Sequence, residues 1–335
     1  MNSRYMKQEL FIGKKGQKKI EESTVVVFGM GALGSAISEM LVRAGVGKLI
    51  IADRDYVEWS NLQRQQLYTE DDAKQKLPKA VAAKQRLQSI NSQTIIKEHV
   101  MDIYFQNVEE LAEGSSILMD ATDNFETRLV INDAAMKQNI PFVFGACVGS
   151  YGMTYPVLPG KGPCFHCLVD YIPSQNVTCD TAGVISPIVQ WVASMQVAQT
   201  MKILTGEDVT PTLRSFDIWK MEHAEMNVEK LKNPECPCCG IERLHPFLTM
   251  DKQTKADILC GRDAVHIRPP VPRTLDLKYL AEQWEKQTKK MLANTHLLSF
   301  QYESYRVILF KDGRAIIHDT ADITMAKTIY TRLTG

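Results

Sequence analysis

Residues Val25 to Gln66 read VVVFGMGALGSAISEMLVRAGVGKLIIADRDYVEWSNLQRQQ. Thr24 to Phe28 is a short apolar, β-branched run, the mark of a strand buried on both faces. It breaks into Gly29-Met30-Gly31-Ala32-Leu33-Gly34, and a helical segment follows. A second apolar run, Lys48 to Ala52, ends at Asp53. In such a fingerprint the first glycine makes the tight turn. The second lets a ligand approach the backbone, and the third packs helix on strand. Amides at the helix N-terminus then face an anion, usually phosphate. Asp53 lies about 20 residues past the glycines, where a carboxylate can take ribose hydroxyls. The pattern by itself indicates a nucleotide, with NAD the usual ligand and an NAD-dependent oxidoreductase the corresponding activity.

The sequence beyond this unit alternates strand and helix. Strands are expected over Thr94 to Val100, Ser116 to Asp120 and Pro141 to Val148, and a single helix over Asp71 to Asn91 with Pro78 near its start. This predicts a Rossmann-like α/β fold with a mainly parallel twisted sheet, in which ligands bind beyond the carboxyl ends of the strands. Gly29, Asp53 and Asp123 each sit at such an end. Ser150 to Pro163 reads as an antiparallel ribbon, and Ile172 to Asp180 as a polar crossing loop. Gly183 to Leu204 reads as a helix ending at Gly206, and Thr212 to Trp219 as a strand. Residues 1 to 23 look helical, and Lys14 to Glu22 looks too polar for a core. The character changes after about Leu244, so residues 1–244 and 245–335 are expected as separate domains. The second reads as a small α+β appendage with strands over Asp263 to Ile267, Leu297 to Tyr302, Tyr305 to Phe310 and Ala315 to His318. Helices are expected there over Leu275 to Lys286 and Met325 to Leu333. It carries no motif with assignable chemistry.

Composition sets the bounds. The formal net charge is +0, which argues against a broad nucleic-acid-binding field. Met1 to Gln8 is polar and charged, so no secretory leader is expected, and no apolar run approaches a bilayer span. Eight cysteines include the pairs Cys164-Phe165-His166-Cys167 and Cys236-Pro237-Cys238-Cys239. In a leaderless chain, expected in the cytoplasm, such pairs favour metal binding over disulfides. Four thiolates at this spacing can close a tetrahedral, structural Zn²⁺ site. The two-residue spacing chooses Cys239 over Cys238 as the fourth ligand beside Cys164, Cys167 and Cys236. A redox CxxC and disulfides are the competing readings.

Asp53-Arg54-Asp55-Tyr56-Val57-Glu58-Trp59-Ser60-Asn61-Leu62-Gln63-Arg64-Gln65 closely resembles the signature of the ubiquitin-activating-enzyme-like adenylyltransferases, the ThiF/MoeB/HesA family. The resemblance runs from the N-terminus to about Cys239. It implies adenylation by ATP of the C-terminal Gly-Gly carboxylate of a small ubiquitin-like sulfur-carrier protein. The carrier is ThiS-like for thiamine or MoaD-like for molybdopterin, and the sequence does not choose between them. It further implies that Arg64 and Lys79 are the cations on the phosphates, that Asn61 orients a phosphate or the arginine, and that Asp123 holds Mg²⁺. Asp123 stands in the matching text Asp120-Ala121-Thr122-Asp123-Asn124, and Asn124 and Arg128 are nearby candidates. A turn at a strand end is the bland alternative for Asp123-Asn124. Arg4-Tyr5-Met6-Lys7-Gln8 is similar to the family's R-Y-x-R-Q motif, whose second arginine reaches across a homodimer to the partner's nucleotide. Lys7 stands in that place and keeps the charge without the bidentate fork. A solvated basic surface explains it equally well.

Cys179 lies in Val177-Thr178-Cys179-Asp180-Thr181-Ala182-Gly183, just before the predicted long helix, where a helix dipole lowers a thiol pKa. The segment resembles the stretch in ThiF whose cysteine joins covalently to the carrier. A loop cysteine with no role is the alternative. The appendage lacks the CxxxxxR loop of a rhodanese, so a separate sulfur-donor protein is implied.

Overall fold

The structure is a computed structural model that describes residues 3–169, 182–249, 256–259, 263–269, 273–284 and 288–334. The chain divides into two compact units, Met1–Met250 and Asp251–Gly335. The dividing point lies beyond Leu244 because Leu248 is buried in a core of the first unit and the Phe247 amide bonds Asp133 there.

The first unit is built on an eight-stranded sheet of order β3-β2-β1-β4-β5-β6-β7-β8. Its strands are β1 (Thr24–Phe28), β2 (Lys48–Asp53), β3 (Ile95–Val100), β4 (Ile117–Asp120), β5 (Phe142–Val148), β6 (Tyr151–Val157), β7 (Thr212–Asp217) and β8 (Glu222–Asn227). Neighbours from β3 through β5 pair in parallel, and from β5 through β8 they pair antiparallel. The apolar run of β1 feeds both sides of this sheet: Val25 and Val27 enter one core, Val26 and Phe28 the other. The first core packs under the helices Ala32–Ala44, Lys79–Ile90 and Ser186–Thr205. The second packs under Phe125–Gln138 and holds the cysteine pairs. β8 is exposed throughout and forms the sheet edge. Its polar text, Glu-His-Ala-Glu-Met-Asn, carries no apolar alternation from which a strand could be read.

Two sequence expectations are corrected. Asp71 to Asn91 is two helices, Glu70–Gln75 and Lys79–Ile90, not one. Lys76 takes a left-handed conformation at φ 49°, and Pro78, which disfavours helix in the residue before it, caps the second helix. The stretch Lys14 to Glu22 also supplies core. Gly16, Gln17 and Ile20 are buried, and a side chain on Gly16 would stand 3.2 Å from Thr205 Cγ2 of the long helix.

The second unit is a six-stranded sheet with antiparallel pairings, order β11-β12-β13-β14-β10-β9. The strands are β9 (Ala256–Leu259), β10 (Ala264–Ile267), β11 (Lys289–Ala293), β12 (Leu297–Tyr302), β13 (Tyr305–Phe310) and β14 (Ala315–His318). Helices Leu277–Trp284 and Ile323–Thr334 contribute Leu277, Ala326 and Ile329 to its core. β9 and β11 were not expected from the sequence.

Candidate active site

The glycine loop is the hub. Gly29 adopts φ 91°, and a Cβ there would lie 2.5 Å from the Ala121 carbonyl oxygen, so the turn sits directly against the end of β4. Gly34 is held as closely: its Cβ would fall 1.9 Å from the Gly29 oxygen. Only residues without side chains permit this approach of loop, helix and strand. Gly31 caps the helix Ala32–Ala44.

Two further groups lock onto the same loop, and a third approaches it. The Asp53 carboxylate accepts the Met30 amide at 2.5 Å and the Asp55 amide at 2.6 Å. The Tyr68 hydroxyl donates to the Met30 carbonyl at 2.5 Å, so Met30 is held by both its amide and its carbonyl. Gln65, beside Arg64, brings its Nε2 to 3.8 Å from the Cβ that Gly31 lacks. Burial raises the pKa of Asp53 from the ordinary carboxylate value, opposed by the charge of Lys79. Burial and the Asp53 charge raise the Tyr68 pKa well above the phenol value, which keeps its hydroxyl a donor.

Lys79 opens its helix with only 3% of its surface exposed, and its Nζ lies 3.1 Å from Asp55 Oδ2. The Lys79 amide also donates to the Asp55 carbonyl, at 2.9 Å. Asp55 is therefore a site residue that the sequence reading passed over. Its signal was the Asp53-Arg54-Asp55 spacing immediately past β2. Tyr68 was passed over too, and nothing local in the sequence marks it.

The other candidates are placed as follows. Asp123 follows β4 by three residues, is exposed, and stands next to the Ala121–Thr122 backbone that the glycine loop touches. Asn124 caps the helix Phe125–Gln138, accepting the Thr127 amide at 2.8 Å. Arg128 is buried: it pairs with Asp120 at 3.0 Å and donates to the Thr122 carbonyl at 2.6 Å, which fixes the backbone on either side of Ala121. Burial raises the pKa of Asp120, and Arg128 opposes the rise. Asn61 is buried, and its Oδ1 accepts the Glu58 amide at 3.0 Å, closing a capping box over the short helix Trp59–Asn61. Arg64 is half-buried just beyond, with Nη1 donating to the Ser60 carbonyl at 2.9 Å. Lys7 is exposed at the start of the helix Met6–Glu21 and makes no described contact with this cluster. Cys179 lies outside the described residues. The described chain resumes at Ala182, and the Val184 carbonyl accepts Gln63 Nε2 at 3.5 Å. Gln66 and Gln190 then join at 2.6 Å, so the long helix begins beside the Asn61–Gln66 segment.

The four cysteines form a second constellation, within the second core. Cys164, Cys167, Cys236 and Cys239 are all buried, with their sulfurs within 4.8 Å of one another. Cys164 and Cys236 sulfurs stand 3.7 Å apart, and Cys167 and Cys239 sulfurs 3.4 Å. A tetrahedral Zn²⁺ with Zn–S bonds of about 2.3 Å separates its sulfurs by about 3.8 Å, so the donor set fits a zinc ion. Cys238 lies outside this foursome, in agreement with the two-residue spacing.

The profile of the ThiF family matches residues 3–238. The chain belongs to the ThiF family. This ThiF-family chain is 54% identical to the sulfur carrier protein ThiS adenylyltransferase of Bacillus subtilis, over all of both chains. It is 31% identical to the molybdopterin-synthase adenylyltransferase of Salmonella typhimurium, covering 71% of this chain and 96% of that protein. A crystal structure of Escherichia coli MccB with ATP superposes with a TM-score of 0.62 at 22% identity, over 72% of this chain and 74% of that one. The last likeness is one of fold. Among the described residues no helix is long and apolar enough to cross a membrane. An oxidoreductase is not favoured, since hydride transfer leaves Arg64, Lys79 and the cysteine pairs without a task.

Proposed function

We propose that this ThiF-family enzyme uses ATP to adenylate the C-terminal Gly-Gly carboxylate of a ThiS-like sulfur-carrier protein. The observation that carries the reading is the convergence of Asp53, the Asp55–Lys79 pair and the Asp123 segment on one glycine loop at the carboxyl ends of β1, β2 and β4. The choice of ThiS over MoaD rests on the Bacillus subtilis relative, which matches both units of the chain, whereas the Salmonella relative leaves more than a quarter of it uncovered.

In this reading the helix Ala32–Ala44 turns its N-terminal amides to the phosphates. Each Asp53 oxygen accepts one amide and retains a lone pair for a ribose hydroxyl. A carboxylate oxygen of the carrier attacks the α-phosphorus, the bond to the β-phosphate bridging oxygen breaks, and pyrophosphate leaves. Lys79 and Arg64 stabilise the charge that develops, within a frame built before ATP arrives. Asp123 is the residue to hold Mg²⁺, a hard cation that neutralises phosphate charge when bound. Zn²⁺ on the four cysteines is structural, because no coordination position remains for substrate. ATP use and reduced cysteine pairs are consistent with the cytoplasm. Lys7 reaches the nucleotide of a second protomer in a homodimer.

The test is ATP–pyrophosphate exchange with a ThiS-like and a MoaD-like carrier in parallel. Exchange is expected with the first and at most weakly with the second. Absence of exchange with both, or reduction of NAD by the enzyme, would overturn the reading. The outer sulfur of a persulfide on a donor protein then attacks the acyl carbon and AMP leaves, giving a carrier acyl disulfide. The Cys179 thiolate displaces the donor thiolate by disulfide exchange, and a further thiol attacks the Cys179 sulfur, freeing the carrier thiocarboxylate and leaving Cys179 in a disulfide. Cys179→Ser is expected to leave exchange near normal and to abolish an enzyme–carrier adduct seen by mass spectrometry. An adduct that survives the substitution removes Cys179 from the scheme.

A further inference from the structure

Behind the four-cysteine cluster stand three more metal-ligating groups that the adenylation scheme does not use. Asp133, Cys238 and His245 bring a carboxylate oxygen, a sulfur and a ring nitrogen within 4.8 Å of one another. We propose that they form a second metal site, for a borderline divalent cation of the Zn²⁺ class, with three protein ligands and one open position.

The geometry suits such an ion. Cys238 Sγ lies 3.8 Å from His245 Nδ1. One S, one N and one O donor around a tetrahedral centre, with bonds of about 2.0–2.3 Å, stand roughly 3.3–3.8 Å apart. Mixed donors of this kind select zinc-like cations over hard ones such as Mg²⁺.

The ligands come from two elements, and the surrounding groups hold them in place. Asp133 is on the helix Phe125–Gln138. Cys238 is in the segment Cys236–Cys239, and His245 is fixed beside it by its amide, which donates to the Pro237 carbonyl at 3.1 Å. Asp133 Oδ2 accepts the Phe247 amide at 2.9 Å. Asn132 Nδ2 lies 3.1 Å from Cys238 Sγ, the N–H···S contact that ligating sulfurs receive. The same Asn132 accepts the Phe165 amide at 2.9 Å through Oδ1, so one side chain braces both cysteine sites. Supporting bonds to each ligand are what a metal centre requires beyond the ligands themselves.

Charge gives an independent reason. Asp133 has no exposed surface, and no lysine or arginine pairs with it among the described residues. A buried carboxylate is costly to keep charged unless a cation compensates it. A divalent ion at this point would do so, and would tie the segment Cys236–Cys239 to the helix Phe125–Gln138. With three ligands against four, it binds more weakly than the ion in the four-cysteine site.

The experiment counts metal on the full-length protein. Protein purified with its four-cysteine site filled is titrated with further Zn²⁺, and bound metal is measured per chain by elemental analysis. Wild type is expected to rise in a second step from one ion to two. Cys238→Ser and His245→Ala are each expected to stop at one, with far-ultraviolet circular dichroism unchanged. His245 is only half-buried, so its variant answers the question if Cys238→Ser folds poorly. In wild type the second step should also protect Cys238 from alkylation, read by peptide mass spectrometry. Saturation of wild type at one ion, two ions in both variants, or a Cys238 equally alkylated before and after the second step would each overturn the proposal.

Discussion

The nucleotide end of the sheet and the cysteine cluster are built on opposite principles. At the strand ends the framework is rigid and the working groups are open. Met30 is clamped by Asp53 and Tyr68, Lys79 is seated on Asp55, while Asp123 is exposed and Arg64 only half-covered. In the cysteine cluster every sulfur belongs to a buried residue and the set is closed on itself. The difference separates two meanings of a site. An open one exchanges ligands and depends on preorganisation. A closed one has no vacancy and serves the fold. Substitutions of the exposed groups at the first should therefore cost activity without stability, and at the second the reverse.

The strongest challenge to that division is Asp123→Ala. It removes an exposed carboxylate that bears no packing, so the melting temperature should be unchanged while carrier-dependent pyrophosphate release falls by about 10³-fold or more. A variant with wild-type release would remove Asp123 from the site. Next comes the pair at the edge of the glycine loop. Lys79→Ala should lower kcat/KM by at least about 10²-fold. Asp55→Asn should lower it roughly tenfold, since it keeps the cation and loosens only its seat. Equal losses in the two would mean that Asp55 acts on the nucleotide itself.

Cys236→Ser probes the closed side. Bound zinc should drop and the melting temperature should fall by about 5–10 °C, while the specific activity of the folded fraction is kept. Full zinc content would contradict the ligand set. The smallest effect is expected at Lys7. Lys7→Ala should raise the KM for ATP severalfold and Lys7→Arg should not. A fully active monomer on dilution would break the idea that one protomer completes its partner's site.

The first half of the fold was legible because its signals are local. A buried strand, a glycine turn and an acid at the next strand end all fall within Val25–Asp53. The cysteine set was equally plain from spacing. What was not legible depends on partners distant in sequence or on surfaces without pattern. Tyr68 reaches back 38 residues to the Met30 carbonyl, and no periodicity announces such a bond. β8 is a polar edge strand whose existence is settled by pairing with β7. Lys76 enters the left-handed region just before Pro78, which divided a stretch whose apolar spacing alone reads as one helix. Asn61 and Asn124, read from resemblance as nucleotide contacts, have their side-chain oxygens engaged in capping.

The two cysteine pairs are 72 residues apart along the chain, and between them run the long helix Ser186–Thr205 and the β7–β8 hairpin. An unfolded chain holds two separate dithiols, each a poor chelator, and acquires a four-thiolate pocket only when that whole excursion has returned to its starting point. Metal affinity and the free energy of completing this half of the sheet are then one quantity measured in two ways. With zinc in that pocket, a chelator is expected to release the tie between the two cysteine pairs and so to loosen the excursion through β7 and β8 that they close.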